Sequence, residues 1–350
     1  MQITIDGKTC GAKAGQSVLD AARENGIFIP ALCHHPKTGS PSKCRTCVVE
    51  VENMRGLQTS CTVAVKDGMK VVTDSAAVRA EQRANVDLLL SSGRHDCLSC
   101  EQTGCCELQD AAYFLGLERP TFPVSTDRSP TDDSSEFVRF DHEKCILCGR
   151  CVAGCNTTVV NEVLSFGFRG HNTKVVCDTD VPMGKSSCVQ CGECAQLCPT
   201  GALTDKKARG KGRPWMLEKV NTTCAYCGVG CQVTLHIDRL KNRIVRVTGR
   251  DVSPNNGMLC VKGRYAYEFP SHRNRLTRPM IRKNGTHVPV SWDEALDYTA
   301  DRMREIIGRD GPDVFSAFAS GRITNENNYA IMKFTRAAVK TNNVDHCART

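Results

Sequence analysis

Nineteen of the 23 cysteines in this 350-residue chain fall into five runs. In order they are Cys33, Cys44, Cys47 and Cys61; Cys97, Cys100 and Cys106; Cys145, Cys148, Cys151 and Cys155; Cys188, Cys191, Cys194 and Cys198; and Cys224, Cys227, Cys231 and Cys260. Thiols separated by two residues put neighbouring sulfurs on one side of a tight loop, close enough to share an iron–sulfur cluster. Five such sites in succession would carry single electrons along the chain. Structural zinc is the competing use of the first run, although zinc sites usually pair two Cys-x2-Cys units. The third and fourth runs are an internal repeat. Cys145-x2-Cys148-x2-Cys151-x3-Cys155 recurs 43 residues later as Cys188-x2-Cys191-x2-Cys194-x3-Cys198, followed by Pro199. In two-cluster ferredoxins with this spacing the fourth cysteine crosses to the other cluster. That rule groups Cys145, Cys148, Cys151 and Cys198 on one four-iron site, and Cys188, Cys191, Cys194 and Cys155 on the other.

These loops need elements to hold them. Residues 1–75 read as short strands around one helix: 1–6 alternate apolar and polar, Gly7 turns the chain, and Ser17 with Asp20 makes a capping pattern. Residues 48–51 and 69–72 supply later strands, and 76–92 are helical by period up to Gly93. A Ser-, Thr-, Asp- and Pro-rich segment (120–135) separates the second run from the third. The basic run 206–213, interrupted by Gly210 and Gly212, reads as a linker. Strands at 231–237 and 243–247 surround the fifth run. From 291 the pattern becomes helix, strand (313–318) and helix (325–340), the start of an α/β layer that stops at Thr350.

Charge and compartment bound the partners. A formal net charge of +8 suggests nucleic acid or a membrane surface, but four-thiolate clusters carry about −2 each and offset it. No nucleic-acid partner is expected. The first residues lack a basic start and an apolar signal core, and no stretch approaches a transmembrane helix. The reading is cytoplasmic, reduced and metal-bound. With 5% aromatic residues the cores are modest, so the N-terminal half is expected to fold poorly without iron.

Taken with their neighbours, the runs resemble known families. The first resembles the two-iron domain of complex I large subunits, iron hydrogenases and formate dehydrogenases. The second, Cys97-x2-Cys100-x5-Cys106, resembles the three-cysteine, one-histidine cluster of the same families, whose His stands where Gly93 is here. Either His95 takes its place, or Cys105 or another group does, or the site has three ligands. The fifth, Cys224-x2-Cys227-x3-Cys231-x28-Cys260 with Val261-Lys262-Gly263-Arg264, resembles the entry domain of molybdenum or tungsten enzymes. There a Lys at the place of Lys262 bridges the cluster and the nearer pterin. The segments 319–329, 333–336 and 341–349 look like the catalytic (alpha) subunit of a formate dehydrogenase, in which a selenocysteine or cysteine comes next.

The resemblance implies an α+β multidomain chain: a β-grasp two-iron ferredoxin domain (1–77), a small helical cluster domain (78–118), a double four-iron ferredoxin domain (136–207), a four-iron entry domain (217–273) and the start of a molybdopterin oxidoreductase α/β domain (274–350). It implies one 2Fe-2S and four 4Fe-4S clusters. The full-length protein would add a molybdenum or tungsten bis-pyranopterin guanine dinucleotide, and residue 351 would be selenocysteine at a codon read as a stop. Formate would be oxidised to carbon dioxide, with electrons leaving toward an NAD(P)H- or flavin-binding partner docked near residues 1–115. No Gly-x-Gly-x-x-Gly nucleotide fingerprint follows a strand in this chain. The alternative is an electron-transfer subunit without catalysis of its own, resembling the large subunit of complex I or a hydrogenase accessory subunit. Cys10, Cys177 and Cys347 read as small buried thiols, and His34 and His35 as surface or supporting histidines.

Overall fold

The computed structural model describes residues 1–126 and 129–347. Residues 127–128 of the 120–135 segment lie outside the described residues, as do 348–350 and the expectation attached to Thr350. The chain divides into two compact units: Met1–Val220, Leu235–Thr248 and Met258–Tyr265 form one, and Asn221–Thr234, Gly249–Gly257 and the segment from Ala266 onward form the other.

The first unit begins with Gln2–Ile5 (β1), in which Ile3 and Ile5 point inward. Asp6 and Gly7 both take left-handed conformations (φ 49° and 77°), the twist a two-residue hairpin turn requires. The chain returns antiparallel as Lys8–Gly11 (β2). Helix α1 (Val18–Glu24) starts where Ser17 Oγ accepts the Asp20 amide at 3.1 Å, and buries Val18, Leu19, Ala21 and Ala22. Strands β3 (Val48–Val51), β4 (Gln58–Thr59) and β5 (Lys70–Val72) complete a mixed sheet of order β2-β1-β5-β3-β4, with β1 and β5 parallel. Ile3, Ile5, Val49 and Val71 close its core against α1.

Helix α2 (Ala76–Ser91), capped by Ser75, lies against this sheet through Gln82, whose Nε2 donates to the Val48 carbonyl at 2.9 Å. Helix α3 (Glu107–Phe114) buries Leu108, Ala111 and Ala112 in a core shared with Leu32, Val86 and Ile146. The repeat region follows: β6 (Val138–Phe140), α4 (Arg150–Ala153), β7 (Leu164–Gly167), β8 (Lys174–Cys177), α5 (Glu193–Leu197) and β9 (Leu203–Asp205). β6 pairs antiparallel with β9 and β7 with β8. The sequence repeat is also a backbone repeat. Leu147 and Gly149 (φ 52° and 85°) match Gln190 and Gly192 (φ 53° and 74°), so each Cys-x2-Cys turn bends the same way and opens a short helix.

Residues 206–213 are not a free linker. Lys206 Nζ donates to the Asp133 and Ser135 carbonyls, and Arg213 donates to Cys100 and Leu98 carbonyls at 2.6 and 2.8 Å. Strands β10 (Glu218–Thr223), β11 (Gln232–Asp238) and β12 (Arg243–Gly249) lie in that order in one sheet. The short helix α6 (Val261–Tyr265) ends in the buried Arg264 and Tyr265.

In the second unit, β13 (Met280–Lys283) and β14 (Thr286–Pro289) form a hairpin. Helix α7 (Trp292–Asp310) is capped by Ser291, and none of its residues is buried. The expected strand at 313–318 is a single 3-10 turn (Pro312–Val314) followed by a shorter strand, β15 (Ala317–Ala319). Pro312 cannot donate to a ladder, which delays the strand. Helix α8 (Asn325–Lys333), capped by Thr324, continues as a π-helical turn to Val339, and β16 (Val344–His346) pairs in parallel with β15.

Candidate metal centres

Cys33, Cys44, Cys47 and Cys61 are all buried. Cys47 immediately precedes β3 and Cys61 follows β4, and the Ser60 amide and hydroxyl both donate to the Cys47 carbonyl (3.0 and 2.7 Å), which locks the two thiols together. Left-handed Ser42 and Arg45 (both φ 56°) turn the intervening loop. The Cys33 and Cys44 thiols share a hydrogen bond, as do Cys47 and Cys61. In each pair one sulfur is held as the readier thiolate, Cys44 at about 5 and Cys61 at about 6, while its partner is pushed up. His34 is buried, not on the surface. Its ring bridges Ser40 Oγ (2.8 Å) and Asp20 Oδ1 (3.0 Å), fastening the loop to α1, and burial depresses its pKa.

His95, Cys97, Cys100 and Cys106 line one pocket together with Thr103, Lys144 and Gly201. Cys105 is exposed and its thiol donates to Gln102 Oε1 at 2.8 Å. At Gly93 a Cβ would stand 2.0 Å from the Glu143 carbonyl oxygen, so no side chain fits there and a histidine at that place is sterically excluded. At Gly201 a Cβ would meet Cys100 Sγ at 2.4 Å, so a side chain there would displace that thiol. The Glu107 amide donates to the Pro199 carbonyl at 2.9 Å, which sets this loop beside the third site. Burial pushes the Cys106 thiol up to about 12.

Cys145, Cys148, Cys151 and Cys198 line a common pocket walled by Phe140, Ile146, Leu147, Val175 and Leu203. The sulfurs frame a space and not a point: among the described residues no three Cys, His, Asp or Glu groups converge as a single ion would need. Soft thiols around an apolar cavity fit an iron–sulfur cluster. Burial pushes Cys148 up to about 12 and also raises Cys151, and neighbouring thiolates oppose further charge. In the other set burial raises Cys194, and Cys191, Cys188 and Cys155 add to the rise. Uncompensated, so many buried thiolates would be costly; a cationic metal core offsets them.

Two buried charges that motif reading passed over hold these loops. Arg150, on α4, donates through both Nη atoms to Glu107 (2.5 and 2.7 Å) and to the Ala31 carbonyl (3.1 Å). Burial opposes its charge, but Glu107 outweighs that and keeps Arg150 firmly protonated. Glu193, on α5, meets Arg264 at 3.0 Å and Lys37 at 3.5 Å, and Arg264 also donates to the Cys191 carbonyl at 2.6 Å. Their place inside the Cys-x2-Cys turns was the available signal.

Of the fifth run, Cys224, Cys227 and Cys231 belong to the second unit, where the Cys224 amide donates to the Cys231 carbonyl at 2.8 Å. Cys260 and Lys262 belong to the first unit, and both are exposed. Cys10 and Cys177 are buried as expected; Cys347 is exposed instead, its thiol 3.5 Å from Ser320 Oγ.

The chain matches five family descriptions in sequence. They are a 2Fe-2S iron–sulfur cluster binding domain (1–76), the NADH-ubiquinone oxidoreductase-G iron–sulfur binding region (82–121), a 4Fe-4S dicluster domain (144–202), the molybdopterin oxidoreductase Fe4S4 domain (217–272) and molybdopterin oxidoreductase (275–350). A crystal structure of an NAD+-reducing [NiFe]-hydrogenase in the H2-reduced state contains a chain 32% identical to this one. The match has a TM-score of 0.56 and covers 61% of this chain and 90% of that one. The chain belongs to the same family as this hydrogenase chain, and over residues 82–121 it is similar to the NADH-ubiquinone oxidoreductase-G iron–sulfur region. This iron–sulfur protein carries 2Fe-2S and 4Fe-4S domains and the N-terminal region of a molybdopterin oxidoreductase. It is 36% identical to the G 2 chain of the NADH-quinone oxidoreductase of Rhizobium meliloti and 35% identical to the alpha chain of the NADPH-Fe(3+) oxidoreductase of Geobacter sulfurreducens, in each case over all of this chain and 40% of the relative. A Staphylococcus aureus protein named as a putative formate dehydrogenase is 32% identical over 39% of its length. The iron–sulfur protein thus spans about 40% of the length of these curated relatives. Among the described residues no helix is long and apolar enough to cross a membrane.

Proposed function

We propose that this chain is the electron-conducting part of a formate dehydrogenase alpha subunit. Its task is to link a molybdenum or tungsten pterin centre in the full-length protein to an NAD(P)-reducing flavin partner near residues 1–115. When bound, iron–sulfur clusters supply one-electron uptake and release without atom transfer. Cys33, Cys44, Cys47 and Cys61 would hold a 2Fe-2S cluster within a β-grasp domain. His95, Cys97, Cys100 and Cys106 would hold the first of four 4Fe-4S clusters. The crossed sets of the repeat would hold two more, and Cys224, Cys227, Cys231 and Cys260 the last, with Lys262 as the relay toward the pterin. In the first run the chain's own residues bury the thiols, in the first run and the repeat left-handed turns orient them, and apolar walls line the pocket of Cys145, Cys148, Cys151 and Cys198.

The observation that carries this reading is the pocket shared by Cys145, Cys148, Cys151 and Cys198, residues up to 53 positions apart that the crossed ligand rule groups on one site. Anaerobic purification, iron and sulfide analysis, and paramagnetic resonance after dithionite reduction test it. Colourless, zinc-containing protein refutes it. Formate specificity is tested separately, by formate-dependent dye reduction with the full-length product, and selenocysteine by reading the gene past Thr350. The second reading is a non-catalytic relay. It is favoured by the likeness to the NADH-quinone oxidoreductase and hydrogenase chains, and it predicts no formate-dependent reduction in any length of product.

A further inference from the structure

Residues 150 and 193 occupy the same place in the two copies of the repeat. Each follows a left-handed glycine, Gly149 (φ 85°) or Gly192 (φ 74°), and each is the first residue of a short helix. The backbone is shared and the charge is opposite. Arg150 is 2% exposed and Glu193 1%. Arg150 is paired with Glu107, whose side chain is 44% exposed, so water screens the compensating carboxylate more than the guanidinium itself. The thiols of Cys148 and Cys198 are among the groups that act on Arg150. Glu193 faces Arg264 and Lys37, the cations that let it stay ionised in the interior, and its carboxylate acts on the Cys191 thiol.

On the reading that these sites hold iron–sulfur clusters, we infer that Arg150 and Glu193 are potential-setting residues of opposite sign. Arg150 eases addition of an electron at the site of Cys145, Cys148, Cys151 and Cys198. Glu193 resists it at the site of Cys188, Cys191, Cys194 and Cys155. Reduction adds one negative charge and moves no atom, so the energy of the reduced state follows the fixed charges around it, and buried charges count for more than exposed ones. A duplicated module with identical ligand spacing would otherwise present two nearly equivalent sites. The inverted charge at one equivalent position, with its different partners, makes the two sites inequivalent.

The test is a potentiometric titration of the cluster-loaded full chain with dithionite, followed by paramagnetic resonance, each four-iron signal being assigned by its loss in Cys151→Ser or Cys194→Ser. Wild-type protein without iron and sulfide defeats the iron–sulfur reading itself, before any variant is compared. With iron present, Arg150→Gln lowers the midpoint of the Cys151-dependent signal, and Glu193→Gln raises that of the Cys194-dependent signal. Glu107→Gln, which unmasks Arg150 from a half-exposed position, raises the former. A purely structural role would not give opposite signs at equivalent places. Shifts in one direction for both Arg150→Gln and Glu193→Gln, or no shift in either at full iron content, overturn the inference. Should Arg150→Gln lose its iron, Glu107→Gln decides: a rise supports the inference and an unmoved midpoint overturns it.

Discussion

Replacing Gly201 by alanine is the sharpest available probe of the second site. Gly201 has no left-handed backbone to strain, so the added methyl acts through space alone. It would lie 2.4 Å from Cys100 Sγ, with Lys144 Cδ at 3.5 Å and Gln102 Cβ at 3.9 Å. Ordinary carbon–sulfur contact needs more than an ångström beyond that, and overpacking of this kind costs about 1–3 kcal/mol. Cys100 cannot retreat into the wall behind it without a backbone shift, because its carbonyl is clamped by Arg213 at 2.6 Å. The thiol must therefore turn out of the pocket it shares with His95, Cys97 and Cys106. The expected result is loss of about four iron atoms per chain, one four-iron cluster's worth, with the other signals retained. Gly11→Ala, where a Cβ meets nothing within 4 Å, is the control. Full iron and an unchanged spectrum in Gly201→Ala would refute the placement of Cys100 as a ligand of this site.

Removing the clamp itself gives a milder phenotype. Arg213→Ala deletes two charge-assisted bonds to the Leu98 and Cys100 carbonyls and is expected to loosen the 96–106 loop by about 2 kcal/mol, read as roughly 30-fold faster amide exchange there by mass spectrometry. His236 is buried with Nε2 on Thr248 Oγ1 at 2.9 Å, and burial first, then Arg246 and Lys219, pull its pKa down from 6.5 to about 3. The folded chain therefore binds fewer protons than the unfolded one between those values. Its contribution is complete above pH 6.5 and is lost as pH falls toward 3, by at most about 5 kcal/mol. Urea midpoints measured from pH 7 to 4.5 should fall, and His236→Gln should flatten the slope. Stripping iron under denaturant-free conditions leaves buried thiolates without compensation, so near-ultraviolet dichroism of the N-terminal half is expected to collapse; an unchanged spectrum would show a core that stands without metal.

Local signals were the readable ones. The Ser17 cap, the α2 period and the Gly7 turn depend on neighbours in sequence, and they appear where their residue types demand. The 43-residue repeat was legible as spacing and returns as matched dihedral angles. What depended on distant partners was not legible. Residues 206–213 carry linker composition, yet their cations find carbonyls more than seventy positions away. His34 looks like any exposed histidine until Asp20 and Ser40 close around it. Nothing in sequence says that Gly93 is pressed against Glu143. The grouping of thiols is intermediate: the crossed ligand rule proposes Cys198 with the earlier run, and only the tertiary fold brings it to the same pocket.

The charge inversion between positions 150 and 193 also bears on assembly of the nascent chain. Two near-copies with the same turns could seat in either of two orientations as the polypeptide collapses. Reversed seating would put Arg150 against Arg264 and Glu193 against Glu107, like against like, at a penalty of several kcal/mol. The duplicated module thus carries its own key, by which the folding protein can tell its head from its tail.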